Sequence, residues 1–551
     1  MTGDGDLGPS REASWLGQAV RRLRDGLDAD RALQGTMAGF IEAARSRYAL
    51  DPGATWRPGE PLELLFAGYS GSRNTGADVR VEEMLRQFRH LLGDDHATLS
   101  VLTIDPALTA GYFPAVRQIH LPQVYPRFLY ETVHRHHGVV ACEGSMFKSK
   151  FANALSTLMV GALGLAAAEG KPAIAYGGEA GAMDPSLEAL VRRYLREGTF
   201  VVTRNEQSRA VLRRLGVESR AGTDTAWTFD PAPPEVGRDL LRRAGWDGTT
   251  PVLAVCPINA FWWPVRPDVL RGAFRALAGG RLGDDESHYK SIYFHADTPE
   301  IRQKQSRYVD ALAEAVRRTT RRHRVFPILI GMEQLDRRAC DALASALGTP
   351  EMPRFVSDEH DMYTMVSVVR QARALVSSRY HALVCSMPAL VPSVGVTMDE
   401  RIRNLMADRG TPELALEVDD PELADRLTAA IDGLLRDGDA LGTGIGRTVA
   451  RNLLRMGGMG QAVVDHLRDR LPELPLRAEL GGAGDPWAHL PPLPPLVASL
   501  AERFASEAHL GAEPASGADG EWGGGDVDGV APEGAPGEPD GTASMGRARQ
   551  A

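Results

Sequence analysis

Short apolar runs bounded by glycine alternate with longer amphipathic stretches along most of this chain, which restricts the fold to parallel sheet covered by helices on both faces. Strands are expected at 62–69, 98–104, 138–142, 172–176 and 200–203, with helices between them near 77–92, 149–169, 185–197 and 206–215. The rhythm breaks over 224–250, where Pro231, Pro233 and Pro234 fall, so an inter-domain connection is placed there. It restarts with strands at 252–256, 291–294, 325–330, 375–377 and 393–396. Helical patterns near 267–278, 299–320, 334–347, 362–373, 380–388 and 399–409 separate these strands.

Two such runs imply an α/β protein of two doubly wound, Rossmann-like domains facing a cleft, an arrangement like that of GT-B enzymes. The expected domains are 61–230, the acceptor side, and 245–440, which carries an Arg-x-His pair. Residues 1–60 read as an N-terminal helical extension and connector, with an amphipathic pattern over 14–47. Further helices are expected at 421–436 and 445–470, so that 441–480 forms a C-terminal helical segment. Residues 481–551, rich in Gly, Pro and acids, are expected to be a largely disordered tail.

Charge placement narrows the partners. Of the formal net charge of −10, eight acids without a Lys or Arg fall between Gly511 and Met545, so the body is close to neutral and nucleic acid is not an expected partner. Cys142, Cys256, Cys340 and Cys385 are far apart and form no Cys-x-x-Cys, so neither a disulfide framework nor a metal site is expected. The most apolar stretch, 155–168, is too short to span a bilayer and the start lacks a signal-peptide pattern, so a cytoplasmic protein is expected.

Four constellations at strand ends could carry chemistry. The loop Gly68-Tyr-Ser-Gly-Ser-Arg-Asn74-Thr-Gly-Ala-Asp78 lets the backbone approach a ligand and offers Asn74 and Asp78 at a helix start, although a tight turn reads equally well. Cys142-Glu143-Gly144-Ser145 ends a strand with groups able to hold hydroxyls; a capping serine beside a solvated acid is the plainer alternative. Arg204, after strand 200–203, presents a guanidinium fork suited to carboxylate or phosphate, or else a salt-bridged surface arginine. Ser378-Arg379-Tyr380-His381 follows strand 375–377 and joins a cation able to clamp an anion to an imidazole able to donate or accept a proton, or else holds a histidine satisfied by a backbone carbonyl near a helix start.

Taken together and in this order, these segments resemble the polysaccharide pyruvyl transferase family. The first loop is similar to the family's Gly-Tyr-x-Gly-x-x-Asn-x-Gly-Asp, with Ala77 inserted before Asp78, and Cys142-Glu-Gly-Ser145 stands where the family has Gly-Gly-Gly-Ser. Gly170-Lys-Pro172, Arg204-Asn-Glu-Gln-Ser208 and Ser377-Ser-Arg-Tyr-His-Ala-Leu383 running on to Pro392-Ser-Val-Gly395 complete the match over about 62–410. The resemblance implies transfer of the carboxyethylidene group of phosphoenolpyruvate onto two hydroxyls of a glycan or glycolipid-precursor sugar. It implies catalysis by Arg204, Arg379 and His381, and phosphoenolpyruvate binding by Arg204, Arg379, Tyr380 and His381, with the two arginines converging on one anion. Gly68, Asn74, Asp78, Glu143, Gly144 and Ser145 would bind the acceptor. No metal or resident cofactor is called for, phosphoenolpyruvate being a co-substrate.

Two other readings remain. A GT-B glycosyltransferase would need a nucleotide pocket in the second domain, for which Asp399 and Glu400 give no convincing match. A non-catalytic scaffold or sensor would not need the arginines and the histidine. Acceptor identity, peripheral contact with a lipid-linked glycan and oligomeric state are left open by the sequence.

Overall fold

The structure is a computed structural model that describes residues 28–268, 293–477 and 484–510. Seven parallel strands form the first sheet: β1 (Leu62–Ser70), β2 (Ala97–Thr103), β3 (Arg117–His120), β4 (Gly138–Ala141), β5 (Ala173–Gly178), β6 (Thr199–Thr203) and β7 (Arg220–Ala221), in the order β3-β2-β1-β4-β5-β6-β7. Along β1, Leu62, Leu64 and Phe66 enter one core and Leu65 and Ala67 another, which is why the strand reads as apolar on both faces, with the exposed Glu63 as its one charged residue. Helices α1 (Ala29–Tyr48), α2 (Thr75–Leu92), α3 (Pro126–His134), α4 (Asn153–Ala168), α5 (Pro185–Tyr194) and α6 (Glu206–Arg214) accompany this sheet.

The second sheet repeats the plan. Strands β8 (Val252–Cys256), β11 (Phe326–Gly331), β12 (Arg354–Val356), β13 (Ala374–Ser377), β14 (Ser393–Thr397) and β15 (Ala415–Glu417) are parallel, in the order β12-β11-β8-β13-β14-β15. Both sheets thus reverse strand order beside their first strand, between β1 and β4 and between β8 and β13. In open α/β sheets that switch point is where loops part to admit a ligand.

Several expected elements differ. The strand expected at 291–294 does not join the second sheet: β10 (Tyr293–Phe294) pairs antiparallel with β9 (Arg266–Pro267), and Tyr293 packs instead on Ala152 and Val265. The helix expected at 267–278 falls mostly outside the described residues. Between the sheets, the proline-rich connection contains helix α7 (Pro234–Arg243). Helix α8 (Pro299–Arg322) follows the hairpin, and α9 (Arg337–Leu347), α10 (Met362–Val369), α11 (Tyr380–Ser386) and α12 (Glu400–Asp408) alternate with the later strands.

The helices expected at 421–436 and 445–470 are one helix, α13 (Leu423–Arg470), so the boundary expected at 440 lies inside it. Glycines there suggest a break to the eye, yet Gly446 admits the ring of Phe504, which a Cβ would meet at 2.4 Å. Phe504 belongs to α14 (Pro495–Leu510), and with Leu490, Val497 and Leu500 it joins the core cluster that includes α13. Residues 484–510 of the expected tail are therefore structured, because its apolar residues are spaced to cover α13; 511–551, like 1–27, lie outside the described residues. No described helix is long and apolar enough to cross a membrane.

Candidate active site

The β1–α2 loop of the first lobe meets the β11–α9 loop of the second. Thr75 N–H donates to the Met332 carbonyl at 2.8 Å, Gln334 N–H to the Arg73 carbonyl at 3.2 Å, and Ser357 Oγ to the same carbonyl at 2.6 Å. Between the lobes lies a cavity of about 450 Å³. Its polar end is lined by Tyr69, Asn74, Glu143, Ser145, Glu333, Arg379, Tyr380, His381 and Arg401, which lie at or beyond the ends of β1, β4, β11, β13 and β14.

His381 sits in the first turn of α11, after β13, and reaches across to the first lobe. Its ring lies so close to α2 that a Cβ on Gly76 would stand 2.3 Å from Nδ1. Only glycine permits this approach. The other nitrogen, Nε2, is 3.4 Å from Asp224 Oδ2. Asp224 is fully buried; burial by itself would raise its carboxyl, but His381, Arg80 and Arg204 outweigh that and hold it far below the usual range. The contact is a close approach and not a formed hydrogen bond, Nε2 having no hydrogen-bond partner among the described residues.

Arg204 faces Asp224 from the same side, donating from Nη1 at 3.1 Å, while Nη2 pairs with Glu179. Its guanidinium lies 4.7 Å from the centroid of the Tyr380 ring. With a side chain only 3% exposed, it stands behind the cavity wall rather than in it. Arg80 is buried beside it, 3.4 Å from Asp224, and donates to the carbonyls of Cys142, Tyr176 and Gly177.

Arg379 lines the cavity. Its Nε donates to Asp336 at 2.9 Å and Nη2 pairs with Asp336 and Glu333, while Nη1 has no partner among the described residues. Burial pushes the Asp336 carboxyl up, against the pull of Arg379 and aided by Glu333, because two acids share one cation in a dry setting. Arg379 and Arg204 thus have separate acid partners and do not converge on one group. The second cation on the cavity wall is Arg401, held by Asp399 through Nε at 2.9 Å and Nη2 at 2.6 Å, with its guanidinium 4.6 Å from the Phe151 ring centroid.

Of the other residues read from sequence, Asn74, Glu143 and Ser145 line the cavity. Gly144 backs it, with a Cβ position 3.2 Å from Arg204 Nη1, and Gly68 packs on the Cys142 thiol. Asp78 lies under the first loop, where Oδ1 accepts from Gly71 N–H at 3.3 Å and Oδ2 is buried without a hydrogen-bond partner among the described residues. Burial pushes its carboxyl up to about 7.

Asp224, Glu333, Asp336 and Arg401 were not singled out in the sequence. Glu333, Asp336 and Arg401 each follow the end of an apolar strand, β11 or β14, which is a readable signal. Asp224 follows only the two-residue β7.

Residues 144–400 match the model of the polysaccharide pyruvyl transferase family. No curated protein matches the chain. Among solved structures, UDP-GlcNAc 2-epimerase from Methanocaldococcus jannaschii is similar at 9% identity, over 68% of this chain and 93% of that one, with a TM-score of 0.44. Sucrose-phosphate synthase from Thermosynechococcus elongatus is similar at 12% identity, over 74% and 100%, with a TM-score of 0.42. The ADP-heptose LPS heptosyltransferase II of E. coli is similar at 13% identity, over 69% and 100%, with a TM-score of 0.35.

Proposed function

We propose, from the membership of residues 144–400 in the polysaccharide pyruvyl transferase family, that this transferase moves the carboxyethylidene group of phosphoenolpyruvate onto two hydroxyls of a sugar. The observation that carries the reading is the meeting of an Asp224-held imidazole with two arginines, Arg379 and Arg401, on one cavity wall.

Phosphoenolpyruvate presents a carboxylate and a phosphate, and the guanidinium groups of Arg379 and Arg401 on the cavity wall suit such oxygens. Protonation of its methylene carbon gives an oxocarbenium-like centre at the adjacent carbon. One sugar hydroxyl adds there and loses its proton, the C–O bond to phosphate breaks, and the second hydroxyl closes the ketal. Two protons leave the hydroxyls; one is matched by the new methyl group and the other accompanies phosphate.

In this scheme His381 exchanges protons with the reacting atoms, and Asp224, 3.4 Å from its Nε2, orients the ring. Glu333 is a second proton carrier on the same wall. Arg204 acts from behind, by holding Asp224 and the Tyr380 ring in place. Asn74, Glu143 and Ser145 face the acceptor hydroxyls.

Thermal unfolding with phosphoenolpyruvate, UDP-sugars and GDP-sugars tests the choice of donor. A ligand at 100 times its Kd adds about 2.7 kcal/mol to the native state. Stabilisation by phosphoenolpyruvate alone is expected; stabilisation by a sugar nucleotide and not by phosphoenolpyruvate would replace this reading with glycosyl transfer.

A further inference from the structure

The loop after β4 carries two lysines, Lys148 and Lys150, that the proposed chemistry leaves unused. Lysine is ordinarily left in water, yet the Lys148 side chain is only 3% exposed. Its backbone is pinned to the first lobe. Phe147 N–H donates to the Glu179 carbonyl at 3.0 Å, Ser149 N–H to the Ala182 carbonyl at 3.0 Å, and Ser156 Oγ to the Lys148 carbonyl at 2.8 Å. Its ammonium group reaches further. Nζ lies 3.2 Å from Glu179 Oε2 and also pairs with Glu400, the first residue of α12 in the second lobe. Beside it, Lys150 Nζ donates to the Met398 carbonyl of the second lobe at 2.8 Å, and Phe151 receives the guanidinium of Arg401.

A buried ammonium is tolerated where carboxylates surround it, and here the two carboxylates come from different lobes. Each is tied to the site. Glu179 also holds Arg204, Arg204 holds Asp224 at 3.1 Å, and Asp224 stands 3.4 Å from His381 of the second lobe. Charges alternate along this line from Glu400 through Lys148, Glu179 and Arg204 to Asp224, so displacing one group loosens its neighbours. The line begins in the second lobe, crosses the first and returns to the second. Glu400 is followed by Arg401, a cation of the cavity wall, whereas Lys148 itself stands outside the cavity lining.

We infer that Lys148 is a positioning residue for the transfer: by bridging Glu179 and Glu400 it holds the lobes together and fixes the placement of Arg401 relative to His381. This rests on the transferase reading above and adds to it a latch between the lobes. Asp399 and Glu400, which match no nucleotide pocket, have their task here: one holds Arg401 and the other receives the latch.

Glu400→Gln is the first test, because the Glu400 side chain is 40% exposed and its neutralisation leaves Lys148 paired with Glu179. Phosphate release from phosphoenolpyruvate should show kcat lower by about tenfold or more, since small misplacements of reacting groups are costly. Lys148→Met should fall at least as far, and Lys148→Arg, which keeps the cation, should recover most of the rate. In the Lys148→Met background Glu400→Gln should have no further effect, as expected of two residues acting through one contact. Wild-type kcat in Glu400→Gln, or losses that multiply in the double variant, overturns the inference. Amide exchange of the whole protein reads the latch without the reaction: segments 147–152 and 398–404 should both exchange faster in Glu400→Gln, and unchanged exchange in both overturns it. The two readings fail separately. A wild type that releases no phosphate, with exchange that still depends on Glu400, leaves the bridge standing and removes the proposed reaction; turnover that ignores Glu400 does the reverse.

Discussion

The contact between Gly76 and His381 joins the two lobes at the proposed proton carrier, and Gly76→Ala perturbs it with a single methyl group. That methyl would stand 2.3 Å from Nδ1, 2.6 Å from Cγ and 2.7 Å from Cβ of His381. A ring held at its Cβ cannot yield as a flexible chain end does, so the imidazole or helix α2 must shift. Overpacking of this kind costs about 1–3 kcal/mol. Alanine gains up to about 1 kcal/mol over glycine in a helix, so the net loss is about 1–2 kcal/mol. In the His381→Ala background the space is vacant, and the same Gly76→Ala change should be neutral or stabilising. The two substitutions are therefore coupled by about 2 kcal/mol, within the usual range for residues in contact. Turnover should suffer more than stability, because a displaced acid–base group forfeits about 10²–10⁴-fold. Urea unfolding of the four proteins gives the coupling, and phosphate release from phosphoenolpyruvate gives the rate. Additive stabilities together with wild-type turnover in Gly76→Ala would refute the packing of His381 on α2.

Other variants separate binding from support. Arg204→Ala takes one buried cation from Glu179, which keeps Lys148, and from Asp224, which keeps Arg80 and His381, and should cost about 1.5–3 kcal/mol, seen in thermal unfolding. Arg401→Ala removes the cation that holds the buried Asp399 and so also costs stability, and it should raise the KM for phosphoenolpyruvate at least tenfold in initial-rate assays. Glu333→Gln keeps the shape of the polar end and removes a proton carrier, so kcat should fall about 10²-fold or more with KM little changed. Asp78 gives a pH test. Its carboxyl is about 7 when folded against an ordinary value of 3.8, so the folded state holds the proton more tightly. The stability linked to it is fully present below about 4 and is lost as pH rises through about 7, at roughly 1.4 kcal/mol per unit and so about 4 kcal/mol in all. Asp78→Asn should match the wild type in urea unfolding at pH 4 and exceed it at pH 8; equal stabilities at both pH values would contradict a buried, neutral Asp78.

Long apolar strands were legible because both faces are buried: β8 occupies Val252–Cys256, the run read from sequence, and β1 extends one residue beyond it. Edge strands were not. β3 is Arg-Gln-Ile-His, β7 has two residues and β12 and β15 three each, too few to show a period against their surroundings. Helix α13 read as two helices, and the packing of Gly446 on Phe504, about 60 residues away, is a contact that no local pattern shows. The same limit applies at the site. Arg379 and His381 stand out locally, since a cation and an imidazole follow an apolar strand at fixed spacing. Asp224 follows a strand too short to see, in a stretch whose prolines read as a connection. That it faces His381 of the other lobe is a fact of docking, which no spacing along the chain encodes.

The central claim is transfer from phosphoenolpyruvate, and the fate of its C2 carbon tests it most directly. With phosphoenolpyruvate carrying ¹³C at C2 and a glycoside acceptor, NMR should show the label moving from a vinylic to a ketal carbon while inorganic phosphate appears in equal amount. A label that stays in phosphoenolpyruvate, or that appears only as free pyruvate across glucoside, galactoside and amino-sugar acceptors, would contradict the account.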